Sequence, residues 1–412
     1  MNSIDKTNKE VFASRWKNSL TLCLIIATAL QVSCKKFVEV PPPDYNITGD
    51  VVFTDDASAI SVLTELYSSF NRNPIQGGFS AGSIFLFAGL AVDEYKLNGG
   101  IITPNYVGYY TNALTADPTK PSGSEHWTFL YNAVFKCNAA IEGLNASTTL
   151  LPLVKKQLLG EAKFMRAFFY FYLVNMFGDV PLALSTDPEI NTLLPRSSKE
   201  SVYDQIKKDL TEAKEQLSDN FLDPTLLVNT TERVRPTKWA AMALLARVYL
   251  YTGEWTNAEA QSTAVISNTA LFNLPDSLND VFLKNGKEAI WQIQPTDASF
   301  NTFDARTLII PASGPSPGSL GNPVQLSPFL LNSFESNDKR AINGKWINSV
   351  TAGATIYKFP YKYKIYLPNS SINAGTGTIN MTEYFMVLRL GEQYLIRAEA
   401  RARQGNLIGA ID

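Results

Sequence analysis

Residues 160–177 read GEAKFMRAFFYFYLVNMF. At a helical period, Ala162, Met165, Phe169, Tyr172 and Met176 share one face, and Phe164, Phe168 and Phe171 make a second. A helix that is apolar almost all round belongs in the middle of a helical core. The stretch therefore sets the fold class as mostly α, with other helices packed around this one. Gly178 and Pro181 end it.

Outward from that helix the apolar period recurs. Downstream, Ser197-Ser198-Lys199-Glu200 carries a Ser-x-x-Glu capping box and opens a helix with Val202, Ile206, Leu210, Ala213 and Leu217 on one side. Pro236, suited to a first helical position, starts PTKWAAMALLARVYLYTGEWTNAEAQSTAVI, which Gly253 breaks into two helices. Ala246 and Ala258 flank that turn and let the two helices approach closely, as in a tetratricopeptide-like hairpin. EQYLIRAEARARQGNLIGAID, at 392–412, repeats the spacing with Ala398, Gly405 and Ala410. The copies stand too far apart for a tandem array of 34-residue repeats, so the two helix pairs are expected to stack in space across a long insert. Upstream, Thr54 and Asp55 can cap a helix bearing Ile60, Leu63, Tyr67 and Phe70. Trp127, Tyr131, Val134 and Ile141 line another, with Asn138 in the stripe.

Residues 268–380 change character, becoming rich in Gly, Pro, Ser, Asn and aromatic residues. Within them EAIWQIQ reads as a short strand and SGPSPGSLGNP as a loop. Residues 91–124 are similar and carry Tyr95, Tyr106, Tyr109 and Tyr110. The chain thus divides into a leader (1–33), an anchor and spacer (34–50), an N-terminal helical part (51–267), an irregular loop-rich subdomain inserted at 268–380, and the start of a last hairpin (381–412), expected to be incomplete.

The leader places Lys6, Lys9, Arg15 and Lys17 before an uncharged run from Ser19 to Val32. This is the charged-then-apolar order of an export signal, and the run falls short of the ~20 residues that span a bilayer. It stops at Ser33-Cys34, a small residue before a cysteine, which is where a lipoprotein signal is cut and acylated. Gln31 departs from the Leu usual three places before that cysteine, and Leu30 stands one place earlier. KKFVEVPPP then makes a proline-stiffened spacer. Cys23 leaves with the leader and Cys34 is expected to carry lipid, so Cys137 has no disulfide partner and reads as a core residue. A net charge of −2 and charged residues at 18% give no basic footprint, which argues against nucleic acid as a partner.

In order along the chain, TDDASAISVLTELY, Asp93-Glu94, WTFLYNAVFKCNAAIE, GEAKFMRAFFYFYLVNMFGDVPL, PRSSKESVYDQIKKDLTEAKEQL, AAMALLARVYLYTGEW and LRLGEQYLIRAEA resemble the motifs of the SusD/RagB outer-membrane lipoproteins of Bacteroidota. The resemblance implies four tetratricopeptide units with an irregular subdomain inserted. It also implies a SusC-type TonB-dependent β-barrel transporter as partner, a membrane tether through the lipid, and an oligosaccharide or glycan as ligand, with peptides in some members. It implies no cofactor and no catalytic group. Members of the family usually continue well past the position equivalent to Asp412.

Binding a sugar without catalysis needs flat aromatic faces against C–H faces, with hydrogen-bonding groups at the rim. The two irregular regions supply Tyr95, Tyr106, Tyr109 and Tyr110, then Phe300, Phe303, Trp346, Tyr357, Tyr361, Tyr363 and Tyr366. Tyr95, Tyr106, Tyr109, Tyr110, Trp346 and Tyr357 are the candidate ligand contacts, each weighed against core packing or barrel contact. The alternation of Tyr357, Tyr361, Tyr363 and Tyr366 with Lys358, Lys362 and Lys364 equally fits a strand with a solvated basic face. Asp93 and Glu94 are the carboxylates a glycoside hydrolase would call on, but adjacent residues rarely flank a scissile bond ~5 to 9.5 Å apart, so they read as structural, capping or rim groups. His126, the sole histidine, is expected at a helix cap or the surface. No His/Cys cluster has zinc spacing, no Gly-rich phosphate loop opens a helix, and no D-x-D-x-D-G calcium loop is present. A hydrolase and a pure protein-interaction scaffold are the alternatives from other functional classes.

Overall fold

The computed structural model describes residues 52–70, 84–115, 125–296, 301–316, 321–365 and 381–411. The leader, Cys34, the spacer, Phe300 and Tyr366 lie outside these. No helix among the described residues is long and apolar enough to cross a membrane.

The first half is helical. Helix α1 (Asp56–Ser69) is capped by Asp55, whose carboxylate accepts from the Ser58 N–H at 3.0 Å. Then come α2 (Ile84–Ala91), β1 (Tyr95–Leu97), α3 (Pro104–Tyr110) and α4 (Glu125–Ala146). Helix α5 (Pro152–Phe177) is the central one: Phe164, Phe168, Phe169 and Tyr170 are fully enclosed, and Trp291 packs its edges against Phe70, Phe164 and Phe168. Gly178, at φ +70°, closes the helix with a backbone conformation that other residues rarely adopt.

Beyond it, β2 (Val180–Pro181) and β3 (Arg196–Ser197) pair across a short loop holding α6 (Pro188–Asn191). Because Ser197 is paired with Val180, the cap of α7 (Lys199–Gln216) is Ser198, one residue later than the capping-box spacing places it. Helix α8 (Lys238–Tyr251) likewise starts two residues after Pro236. The Thr237 carbonyl accepts the first helical bonds from Ala240 and Ala241, so Thr237 is the boundary residue. Gly253, at φ +76°, turns the chain into α9 (Trp255–Ile266).

The insert has more order than its composition suggests. Its elements are β4 (Ala289–Ile293), α10 (Phe303–Leu308), β5 (Val324–Leu326), α11 (Pro328–Ser333) and a hairpin of β6 (Ile347–Ala352) with β7 (Thr355–Pro360). Strand β5 pairs antiparallel with β1, setting Tyr95 opposite Leu326 and joining the insert to the first irregular region. After it come β8 (Phe385–Arg389), α12 (Leu390–Arg403) and α13 (Leu407–Ile411), with Gly405 at φ +83° between the helices. Strand β8 pairs antiparallel with β4. Helices α8 and α9 pack against α12 around a buried group of Ala246, Ala258, Ile396 and Ala400, whereas Ala398 and Ala410, the residues that repeat the small-residue spacing, are only half-buried and lie outside it.

Two buried polar networks tie the helices together. Arg166 on α5 grips Asp209 on α7 with Nε and Nη2, at 2.8 and 2.7 Å, and donates from Nη1 to Asn138 on α4 at 3.0 Å. Glu161 on α5, wholly buried, accepts from the Tyr67 hydroxyl, Arg235 and Gln157. Each buried charge thereby has the partner that its desolvation demands. Cys137 lies in this core as a free, buried thiol, as its lack of a partner implies.

Candidate functional site

A cavity of about 700 Å³ opens where the two irregular regions meet the helices, within the roughly 300–1,000 Å³ typical of ligand pockets. Phe85, Leu86 and Gly89 of α2, with Val92, Glu94 and Tyr95 after it, form one wall. Phe171 and Tyr172 of α5, Arg247 and Tyr251 of α8, and Glu392 and Leu395 of α12 form another. Strand β8 contributes Phe385, Met386, Val387 and Arg389, and the insert contributes Phe282, Asp304, Leu308, Pro360, Lys362 and Tyr363.

Local sequence explains several of these placements. Tyr95 lies against α2 because position 89 is glycine: a Cβ there would come within 2.6 Å of the tyrosine ring. Asp93 takes a positive φ of 62°, turning the chain from α2 into β1, and the main-chain carbonyls of Asp93 and Glu94 accept from the side chain and backbone of Ser327. The acidic pair thus helps dock the insert, and Glu94 also lines the cavity.

The charges in the wall fall into two kinds. Arg247 and Glu392 form a two-pronged bridge at 2.5 and 2.6 Å; burial disfavours the arginine's charge, but the carboxylate more than compensates and holds its pKa above the usual value. Arg389 is paired with Glu288 at 3.1 Å. Lys362 is different, with no hydrogen bond or ion pair among the described residues. Its ammonium stands 5.9 Å from the ring centre of Phe282 and 5.5 Å from that of Trp346. Solvent reaches it through the cavity, yet the enclosing protein lowers its pKa by desolvation. Arg389 pushes the same way, and Glu94 and Asp304 oppose. Burial raises the Tyr95 and Tyr363 hydroxyls, so both stay protonated donors.

The sequence-predicted aromatics are distributed unevenly. Tyr95 lines the cavity. Trp346 stands behind its wall, with its indole N–H donated to the Leu278 carbonyl and its ring flanked by Lys362 and Arg389. Tyr357 is half-buried on β7 beside Gly314. Tyr106 and Tyr109 are buried against Phe87 in a small satellite core, so neither offers a ring face outward, whereas Tyr110 is exposed on α3. Phe282, Arg389 and the Arg247–Glu392 bridge escaped sequence reasoning. The signal for Lys362 and Tyr363 was present in the Tyr/Lys alternation, but strand β7 ends at Pro360 and both residues then line the cavity. His126 is neither cap nor surface. It is buried edge-on to Phe87 and Tyr109, and desolvation lowers its pKa to about 4. No group of His, Cys, Asp and Glu among the described residues is arranged to hold a metal ion.

A family model described as "Starch-binding associating with outer membrane", of the SusD-like type, matches residues 95–250. SusD-like protein P25 of Formosa agariphila is 24% identical over 319 residues, which is 75% of this chain and 58% of that relative. The chain therefore spans little more than half of that relative's length. Among solved structures, a SusD superfamily protein from Bacteroides vulgatus superposes with a TM-score of 0.67 at 20% identity, covering 87% of this chain and 78% of that one. A laminarin-binding SusD-like protein superposes with a TM-score of 0.63 at 23% identity, covering 86% and 82%. These likenesses carry the fold: a mostly helical frame with few, short strands.

Proposed function

The chain belongs to the SusD/RagB family, and from that premise we propose that it is a cell-surface lipoprotein that captures an oligosaccharide or glycan and hands it to a SusC-type TonB-dependent transporter. The carrying observation is the 700 Å³ cavity, in which Tyr95, Tyr251, Phe85 and Phe282 stand beside Glu94, Lys362 and Arg389. Aromatic edges and faces suit the C–H surfaces of sugar rings, and the polar groups suit their hydroxyls. In this reading the lining carboxylates accept hydrogen bonds and carry out no hydrolysis.

Calorimetric titration against a panel of oligosaccharides tests it. Tyr95→Ala is expected to weaken binding by about tenfold, the loss of ~1.4 kcal/mol, and Val92→Trp, at the exposed rim, to abolish it. Absence of binding across the panel would sink the glycan reading. A peptide ligand is the second reading, favoured by the apolar part of the wall, Val92, Leu308, Val387 and Leu395; capture of unlabelled peptides in preference to every glycan would select it. Lipidation at Cys34 predicts an acylated N-terminus by mass spectrometry of the native protein. The transporter claim fails if crosslinking in outer membranes recovers no β-barrel.

A further inference from the structure

Cations line the 700 Å³ cavity and also a second one, of about 600 Å³, beside α1. All but one of them are committed. In the second cavity Arg235 is bound to Glu161 at 2.8 Å. In the first, Arg247 is bridged to Glu392 and Arg389 to Glu288. Lys362 lines that first cavity and is exposed to solvent, with no hydrogen bond or ion pair among the described residues.

Lys364, two residues on, spends its three N–H donors on the carbonyls of Lys345 at 2.6 Å, Tyr361 at 2.8 Å and Gly344 at 3.4 Å. An ammonium drawn away from bulk water needs acceptors of that kind to keep its charge. Lys362 has instead the rings of Phe282 and Trp346, 5.9 and 5.5 Å away. It shares both with Arg389, whose guanidinium stands 5.7 and 5.5 Å from the same ring centres. Two cations thus compete for one pair of rings, and the arginine does not give up its proton. Arg389 and Arg340 repel the Lys362 ammonium, Glu94 and Asp304 attract it, and desolvation by the cavity wall tips the balance toward the neutral amine. A lysine desolvated in an apolar pocket, or set beside another cation, has its lone pair freed for attack on carbon.

We propose that Lys362 is a carbonyl-reactive site, at which an aldehyde entering the first cavity condenses with the side-chain amine to a reversible imine. The nitrogen lone pair forms a C–N bond to the carbonyl carbon, and one nitrogen proton passes through solvent to the oxygen, giving a carbinolamine. That hydroxyl then leaves as water with the second nitrogen proton, and a C=N bond remains. Nothing is oxidised or reduced, and water reverses the step. The reacting class is an aldehyde, either a small free one or the open-chain form of a reducing sugar. This chemistry goes beyond oligosaccharide capture, because it needs no glycan contact.

The experiment treats the full chain at pH 7 with glycolaldehyde, and separately with D-glucose. Cyanoborohydride traps the imine as a secondary amine, and peptide mass spectrometry at early times gives the rate at each lysine. Lys358, exposed on β7 four residues away, is the internal reference. Glycolaldehyde is expected to label Lys362 at least about tenfold faster than Lys358, the gain that a tenfold larger neutral fraction gives. Between pH 7 and 9 that ratio should fall, because an ordinary lysine gains neutral amine throughout the range. Arg389→Gln removes the repelling charge and should slow Lys362 about threefold while leaving Lys358 unchanged. Labelling by both aldehydes assigns the site to reducing sugars as well as small aldehydes, and labelling by glycolaldehyde alone assigns it to small free aldehydes. The proposal is overturned if Lys362 is labelled no faster than Lys358, or if Arg389→Gln, shown by circular dichroism to be folded, leaves its rate unchanged. Should that variant not fold, the wild-type ratio and its pH dependence decide. Calorimetry with oligosaccharides answers separately, since neither result depends on the other.

Discussion

Gly89 and His126 show how single positions shape the first cavity. The Tyr95 ring occupies the space that any Cβ at position 89 would need, so Gly89→Ala forces the ring off α2. The expected result is about a tenfold loss of oligosaccharide affinity with only a small change in stability, since Tyr95 is partly exposed; equal affinity would show that Tyr95 is not a contact. His126 makes a prediction in pH. Its folded pKa, about 4, lies below the ordinary 6.5, so between those values the unfolded chain binds a proton that the native protein does not. Stability from this group is complete above pH 6.5 and is lost as pH falls toward 4. Urea denaturation at pH 7.5 and 4.5 should therefore show wild type losing about 2.5 kcal/mol more than His126→Phe. Neither feature is visible in the sequence, because a glycine's neighbour and a histidine's burial are both set by residues distant along the chain.

Helix α5 was legible because its own residues decide its place: with apolar side chains on every face it has no stable position except the centre. What its sequence hides is the price of burying charge there, which falls on Arg166 and Asp209. Burial pushes the Asp209 carboxyl pKa up, and Arg166 works against that. Removing one partner strands the other, and Asp209→Ala should cost about 3–5 kcal/mol in chemical denaturation. A cost below 1 kcal/mol would mean that water reaches Arg166. The caps of α7 and α8 fell one and two residues from the expected places because β2–β3 pairing and the Thr237 carbonyl, both tertiary details, fix the boundaries. The strands of the insert were harder still. Apart from the β6–β7 hairpin, β4 and β5 find their partners at β8 and β1, far away in sequence, so no local turn signal announces them.

At the scale of the molecule, the question is what holds a long insert between two helical hairpins. Antiparallel pairing of β4 with β8 closes one side. Arg247 on α8 bridges Glu392 on α12, and Gln393 donates to the Ala243 carbonyl at 3.3 Å. These contacts join segments some 145 residues apart, and ordering so long a loop costs more than closing a short one, though only logarithmically. The Ala/Gly spacing marked Ala246 and Ala258 on one side of the contact, but on the other side Ile396 and Ala400 make it in place of Ala398 and Ala410, and nothing in the spacing showed that an ion pair in the wall of the first cavity would help to fasten the helices. Two variants separate its roles. Glu392→Ala alone leaves a half-buried guanidinium without its carboxylate and should destabilise the fold by about 1–3 kcal/mol, whereas Arg247→Met with Glu392→Met should recover most of that loss, because such a pair is often replaceable by apolar side chains of similar volume. If the double variant is as unstable as Glu392→Ala, the bridge is irreplaceable for closing the insert. If it is stable but binds oligosaccharide as wild type does, the bridge fastens the hairpins without touching the ligand.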